Sequence, residues 1–128
     1  MSESSFYVVM HTSGSIEIKS FDPEKDDILD VIHEELNGAF FEVVRCRTLP
    51  RKFIMLVDDC GAIDGCALNH LASELYGVRQ HGGRIFGTAV FMKEDYVDGE
   101  PDIVGLTQDD TQEFVNKLHG YFVIKECE

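Results

Sequence analysis

Two pairs of strand-like segments lie too close together in the chain for anything but antiparallel pairing. Residues 6–11 and 15–21 are separated by only three residues, and residues 40–47 and 52–58 by only four. A parallel pair needs a crossover of roughly a dozen residues or more, which neither gap provides. The sequence therefore predicts two hairpins within a mainly antiparallel sheet.

Helix signals follow each predicted hairpin. The first helix is predicted between an N-cap at Asp22 and a left-handed stop at Asn37-Gly38. The second is predicted at about residues 69–76, with Asn69 as its cap and Gly77 as its stop. Apolar residues recur at helical spacing in both segments, which indicates one buried face on each helix.

The last third of the chain adds strands and a third helix. Residues 84–92 are predicted to be a strand with Gly87 in its interior, followed by an acidic, turn-like segment at 93–102. Thr107 with Asp110 resembles a capping box, which predicts a helix as far as about Gly120 and a final strand at 121–125. The expected fold class is α+β, with a mainly antiparallel sheet of about five to six strands and about three helices, in a single domain of residues 1–128.

Composition narrows the functions that such a domain can have. The 128 residues carry a net charge of −13, which argues against direct nucleic-acid binding because phosphate contacts need a basic surface. No apolar run approaches the ~20 residues that span a bilayer, so no membrane association is expected. The first residues lack a signal-peptide pattern, which predicts a cytoplasmic location and reduced cysteines.

The basic residues are unevenly distributed. Residues 45–84 contain all five arginines and one lysine against four carboxylates, whereas the rest of the chain has five lysines against twenty carboxylates. Arginine makes forked, bidentate contacts with phosphate, and Gly82-Gly83 is a flexible backbone that can cradle one. We therefore predict one pocket for an anionic ligand, formed by Arg45, Arg47, Asn69, Arg79, His81, Gly82, Gly83 and Arg84.

The same window carries a recognisable pattern. VDDCGAIDGCALNHLASELYG, followed by GGRIFGTAVF, has the form D-D-x-G-x-x-x-G-x-x-x-N-x-x-A before a glycine-containing strand. About residues 36–92 resemble a small domain-of-unknown-function family from phages, mobile elements and bacteria. The resemblance implies a phage or mobile-element origin, with the host cytoplasm as the location, and implies no particular reaction.

Alternative sites in this window are less well supported. Cys46, Cys60, Cys66 and His70 do not have the tight pairing of structural zinc ligands. Cys66 lies among carboxylates that oppose formation of a nucleophilic thiolate. The aspartates Asp58, Asp59 and Asp64 do not follow an EF-hand spacing and are typical of a solvated turn. We expect no catalytic residue, no metal and no cofactor.

Three functions remain open from the sequence. The first is non-catalytic binding or sequestration of a small anionic, nucleotide-like ligand, which would suit a counter-defence activity, and the arginines favour it. In the second, the acidic surface binds a basic host protein, as an inhibitor or DNA mimic. The third is a small hydrolase, for which no complete set of acid, base and nucleophile is visible. A homo-oligomer is also expected, because edge strands must be covered.

Overall fold

The computed structural model describes residues 5–46, 48–61, 65–77 and 84–126, with side chains as far as residue 119. The elements are β1 (Ser5–Met10), β2 (Ile16–Phe21), α1 (Ile28–Glu35), β3 (Phe41–Val44), β4 (Phe53–Asp58), α2 (His70–Tyr76), β5 (Ala89–Val97), β6 (Glu100–Val104) and α3 (Gln108–Glu126). The predicted α+β class is confirmed, with three helices and six strands in the described ranges.

The six strands form one sheet in the order β2-β1-β5-β4-β3, and β6 pairs with the second half of β5. Every neighbouring pair is antiparallel. Both predicted hairpins are confirmed, as β1–β2 with Val8 opposite Ile18 and as β3–β4 with Val43 opposite Leu56. Strand β5 joins the two hairpins by pairing with β1 on one side and with β4 on the other.

Helices cover both faces of the sheet, which explains why β4 is apolar along its length. Phe53, Met55 and Val57 pack in the cluster that includes residues of α2 and α3, whereas Ile54 and Leu56 pack in the cluster that includes α1. Because alternate side chains of a strand point to opposite faces, a strand buried on both sides must be continuously apolar. The carboxyl end of β4 therefore emerges between two layers of helices.

Helix α1 begins later than predicted. Its N-cap is Asp27, whose carboxylate accepts a hydrogen bond from the backbone N–H two residues on at 2.9 Å, and not Asp22. Asp22 closes a separate turn by accepting from the N–H of Glu24 at 2.9 Å. Either aspartate can cap a helix, and the cap is Asp27 because it directly precedes the apolar residues of the helix, which begin at Ile28. The predicted stop is confirmed by φ angles of 56° at Asn37 and 81° at Gly38.

The acidic segment 93–102 is a hairpin, not the turn-like stretch that was expected. Strand β5 continues into it and turns at Asp98-Gly99, where φ is 53° and 83°, before β6. Asp-Gly favours a two-residue turn of this kind, since both residues tolerate positive φ. The predicted strand at 84–92 is wrong in its first half, and Gly87 lies before the strand.

The predicted C-terminal strand at 121–125 is also wrong, because α3 continues through Gly120 to the end of the described chain. A single glycine costs a helix only about 1 kcal/mol relative to alanine, and each further residue adds a backbone hydrogen bond.

Among the helices that the structure describes, none has the length and apolar character needed to cross a membrane.

The start of α3 is anchored to the sheet through Asp110. The predicted capping box is confirmed, since Thr107 Oγ1 accepts from the N–H of Asp110 and the Asp110 carboxylate accepts from the N–H of Thr107, each at 3.0 Å. The same carboxylate accepts from Lys93 Nζ at 2.6 Å and from Lys52 Nζ at 3.0 Å. Burial disfavours its charge, but the hydrogen bonds from Lys93, Thr107 and Lys52 outweigh burial and lower the pKa of Asp110 well below its usual range.

Candidate ligand-binding cleft

A cleft of about 320 Å³ opens at the carboxyl end of β4. Its walls come from the end of α1, the last residue of β4 and the segments that precede α2 and β5. The lining residues are Glu35, Leu36, Asn37, Gly38, Ala39, Asp58, Cys66, Gly87 and Thr88. The volume lies at the lower end of the range of small-molecule sites, which is about 300–1,000 Å³.

A second pocket of about 180 Å³ shares one lining residue with the cleft, Asp58. The residues that line it are Glu42, Val57, Asp58, Asp59, Gly61, Arg84, Ile85 and Phe86. Within this lining Arg84 is the cation, and the carboxylates are those of Glu42, Asp58 and Asp59. The cleft and the second pocket together thus offer carboxylate oxygens as hydrogen-bond acceptors and the Arg84 guanidinium as a forked donor, with Asp58 in both linings.

The turn after β4 fixes the position of Asp58. Its Oδ1 accepts from the N–H of Cys60 at 2.8 Å, and Cys66 Sγ donates to its Oδ2 at 3.8 Å. The N–H of Cys66 donates to the carbonyl of Gly61 at 2.9 Å, which closes the loop between them. Residue 61 must be glycine in this packing, because a Cβ there would lie 2.7 Å from the carbonyl oxygen of Phe86.

Asn69 joins the cleft loops to the sheet. It is 0% exposed, and its Nδ2 donates to the carbonyls of Met10 and Gly87 at 2.9 Å each. Its Oδ1 accepts from the N–H of Ala72 at 3.0 Å, so the predicted N-cap of α2 is confirmed. Asn69 is among the residues predicted to contact ligand, yet both polar atoms of its side chain are used within the fold. Its visible role is to position the Gly87 wall of the cleft.

Glu35 brings a second carboxylate to the cleft. Tyr7 donates its hydroxyl to Glu35 Oε2 at 2.7 Å, and Lys19 Nζ donates to the two carboxylate oxygens at 3.2 and 2.9 Å. Burial and the Glu35 carboxylate raise the pKa of Tyr7, which keeps its hydroxyl a donor. The hydrogen bond with Glu35 likewise raises the pKa of Lys19. Glu35 is therefore held in place by two donors from the β1–β2 hairpin.

The described cysteines occupy three different environments. Cys46 is in the core, where burial raises the pKa of its thiol to about 12, whereas Cys60 is exposed and Cys66 borders the cleft. In the part of the chain that the structure describes, no three His, Cys, Asp or Glu side chains are grouped to hold a metal ion. The zinc alternative with Cys46, Cys60, Cys66 and His70 gains no support there.

The two predicted arginines that the structure describes, Arg45 and Arg84, lie at different places in the fold. Arg45 lies beyond the end of β3, where it donates to Glu94 Oε1 at 2.6 Å and to the carbonyl of Arg51 at 3.0 Å. These contacts lie near the start of β4, roughly 16 Å from the Asp58 end by the five steps of strand rise between Phe53 and Asp58. Arg84 lines the second pocket at that other end. The structure thus does not bring Arg45 and Arg84 together.

Five predicted site residues cannot be placed. Arg47, Arg79, His81, Gly82 and Gly83 lie outside the described residues, so their predicted role stays a prediction. Arg84 follows that segment directly and is the predicted ligand-binding cation found in a pocket.

Sequence reasoning missed the residues that α1 and the segment before β5 contribute to the cleft. Glu35 lies within the first predicted helix, but its partners Tyr7 and Lys19 lie 28 and 16 residues away in the chain. Thr88 was assigned to a strand interior. The nearest signal was the left-handed stop at Asn37-Gly38, which ends the helix beside the cleft.

No protein-family model matches the chain, and no curated protein matches it either. Its fold is similar to part of the crystal structure of the small RNA methyltransferase HEN1, with a TM-score of 0.55 and 15% sequence identity. The match covers 90% of this chain and 16% of that chain. At this identity the likeness concerns the fold alone. The resemblance of residues 36–92 to the phage and mobile-element family stays a prediction.

Proposed function

We propose that the protein is a non-catalytic binder of a small nucleotide-like molecule, held in the cleft and the second pocket, which share Asp58. The observation that carries this proposal is that Asp58 lines both spaces, with Glu35 in the cleft and Arg84 in the second pocket. A ligand with hydroxyl or amino donors at one end and a phosphate at the other would match this division.

Each part of the ligand has a described partner. Ionised carboxylates only accept hydrogen bonds, so Glu35 and Asp58 suit the hydroxyls of a sugar or the amino group of a base. Arg84 suits a phosphate, because its planar guanidinium donates two parallel hydrogen bonds. In the described lining this cation lies among three carboxylates, which favours a monophosphate or phosphodiester over a triphosphate.

The proposed biological role is sequestration. The resemblance of residues 36–92 to a phage and mobile-element family supports it, because holding a host nucleotide signal out of solution would serve counter-defence.

Isothermal titration calorimetry with the four ribonucleoside monophosphates and the matching nucleosides tests the proposal. Replacing Arg84→Gln should weaken binding of a monophosphate roughly tenfold or more, since a hydrogen bond to a charged group contributes about 1.5–3 kcal/mol. It should leave nucleoside binding unchanged. Replacing Asp58→Asn should weaken binding of both ligand series, because the sugar or base contacts are shared.

The matched control is Arg51→Gln, which removes an exposed arginine at the other end of β4. It should leave every dissociation constant unchanged. Failure of all eight compounds to bind, or equal losses with Arg51→Gln and Arg84→Gln, would contradict the proposed site.

A further inference from the structure

Strand β2 is an edge of the described sheet that neither a short length nor a proline protects against pairing. In the described sheet β2 ends the strand order, with β1 as its neighbour. The edge strand at the other end, β3, has only four residues, and β6 contains Pro101, which cannot donate a backbone hydrogen bond. Strand β2 has six residues without proline or glycine.

The hydrogen-bonding direction along β1 shows which backbone groups of β2 point outward. Phe6 exchanges backbone hydrogen bonds with Leu106 at 2.9 and 2.8 Å, on the side away from β2. Successive residues of an antiparallel strand alternate in direction, so Tyr7 and Val9 point toward β2, opposite Lys19 and Glu17. The backbone groups of the three alternate residues of β2 therefore point to the open edge, and these are Ile16, Ile18 and Ser20.

The same strand exposes apolar side chains. Ile16 is 41% exposed and Ile18 is 51% exposed. They lie opposite Met10 and Val8, whose side chains belong to the core cluster on the α2 and α3 side of the sheet. An outward-facing backbone combined with exposed isoleucines is the pattern expected of a strand that pairs with another strand.

We propose that the occupant of this edge is a second copy of the chain, paired antiparallel through β2 about a two-fold axis at Ile18. In this register Ile18 lies opposite the second copy's Ile18, and Ile16 opposite its Ser20. All outward groups then form about six intermolecular backbone hydrogen bonds, and the two sheets become one. This proposed dimer does not rest on the proposed ligand-binding function.

Charge selects this register over its neighbours. With the axis at Ile18, Glu17 lies opposite the second copy's Lys19, at the close spacing of a pair without backbone hydrogen bonds. An axis one residue earlier would place Glu17 opposite itself, and one residue later would place Lys19 opposite itself. Like charges directly opposite each other are unfavourable, so β2 is self-complementary in one of the three registers.

Sedimentation velocity over a concentration series tests the interface by charge reversal. Wild type should dimerise, and Glu17→Lys should raise the dimer dissociation constant roughly tenfold, because each dimer would contain two like-charge contacts. Lys19→Glu should also weaken the dimer. The double variant Glu17→Lys/Lys19→Glu should restore the wild-type constant to within about threefold, since opposite charges face each other again.

Glu100→Lys is the matched control, since it makes the same charge change on the exposed β6 edge, and it should leave dimerisation unchanged. Lys19 also binds Glu35, so thermal unfolding of each variant must show that the subunit remains folded. A wild-type protein that stays monomeric throughout the series overturns the proposal. A double variant that remains as weak as the single variants overturns the register.

Discussion

At the scale of single residues, Asn69 contributes to the fold in three ways. It caps α2, and it satisfies two buried carbonyls, one at the end of β1 and one in the loop that enters β5. Aspartate would accept in the cap but could not donate to the carbonyls of Met10 and Gly87. The asparagine amide, which both donates and accepts, suits this position.

Replacing Asn69→Ala should lower the free energy of unfolding by about 3 kcal/mol, from the lost cap and two carbonyls left without a donor. Urea unfolding followed by circular dichroism measures this change. The matched control is Asn116→Ala on the exposed side of α3, which should change stability by no more than about 0.5 kcal/mol. Equal effects of the two substitutions would show that the Asn69 contacts do not stabilise the fold.

The contacts of Asn69 show which side-chain roles can be predicted from the sequence and which cannot. The cap was predicted because Asn before an apolar helical stripe is a local signal. The carbonyls of Met10 and Gly87 lie 59 and 18 residues away in sequence, and no local pattern indicates such partners. The same limit applies to Arg45, whose partner Glu94 is 49 residues distant.

At the scale of elements, the start of α3 depends on a partly buried ionic cluster around Asp110. Asp110 accepts hydrogen bonds from the Nζ atoms of Lys93 and Lys52, and Lys52 also donates to Glu113 at 2.6 Å. The hydrogen bonds that Lys52 donates to Glu113 and Asp110 raise the pKa of Lys52, so it remains charged. These contacts hold the first turn of α3 against β5 and the start of β4.

The cluster makes stability depend on pH in a predictable direction. Because the pKa of Asp110 is lower in the folded protein than the ~3.9 of an unfolded aspartate, its charge stabilises the fold above about pH 4. This contribution is lost as the pH falls below that value toward the folded-state pKa. Asp110→Asn should therefore lower the free energy of unfolding at pH 7 by about 2 kcal/mol and lessen its further decrease in acid.

Urea unfolding at several pH values between neutral and acid checks this prediction. The control is Asp109→Asn, which neutralises the adjacent exposed aspartate in the same helical turn. It should have only a small effect at pH 7, of about 0.5 kcal/mol or less. Parallel pH curves for wild type and Asp110→Asn would contradict the proposed ionic contribution.

Elements defined by local signals were predicted well, and those set by tertiary context were not. The β1–β2 and β3–β4 hairpins, the cap of α2 and the capping box of α3 follow from turn and cap residues within a few positions. The continuation of α3 beyond Gly120 does not, since the segment 121–125 is apolar and β-branched enough to suit a strand. The Asp98-Gly99 turn was a local signal that the acidic composition obscured.

At the scale of the whole molecule, the sheet gathers distant segments around the end of β4. The end of α1, the loop before α2 and the approach to β5 meet there because β4 lies between β3 and β5 in a sheet covered on both faces. The window at 45–84 suggested one arginine-lined pocket. The fold separates that window along β4, with Arg45 in an ion pair at one end and Arg84 in a pocket at the other.

The central claim is that a nucleotide-like molecule occupies the cleft and the second pocket, which share Asp58. Two-dimensional ¹H–¹⁵N NMR of the labelled protein during titration with each ribonucleoside monophosphate tests it most directly. The claim predicts that at least one of these compounds shifts backbone signals mainly in residues 35–39, 58–61 and 84–88. Shifts concentrated in the β5–β6 hairpin, or no shifts with any of the four compounds, would contradict it.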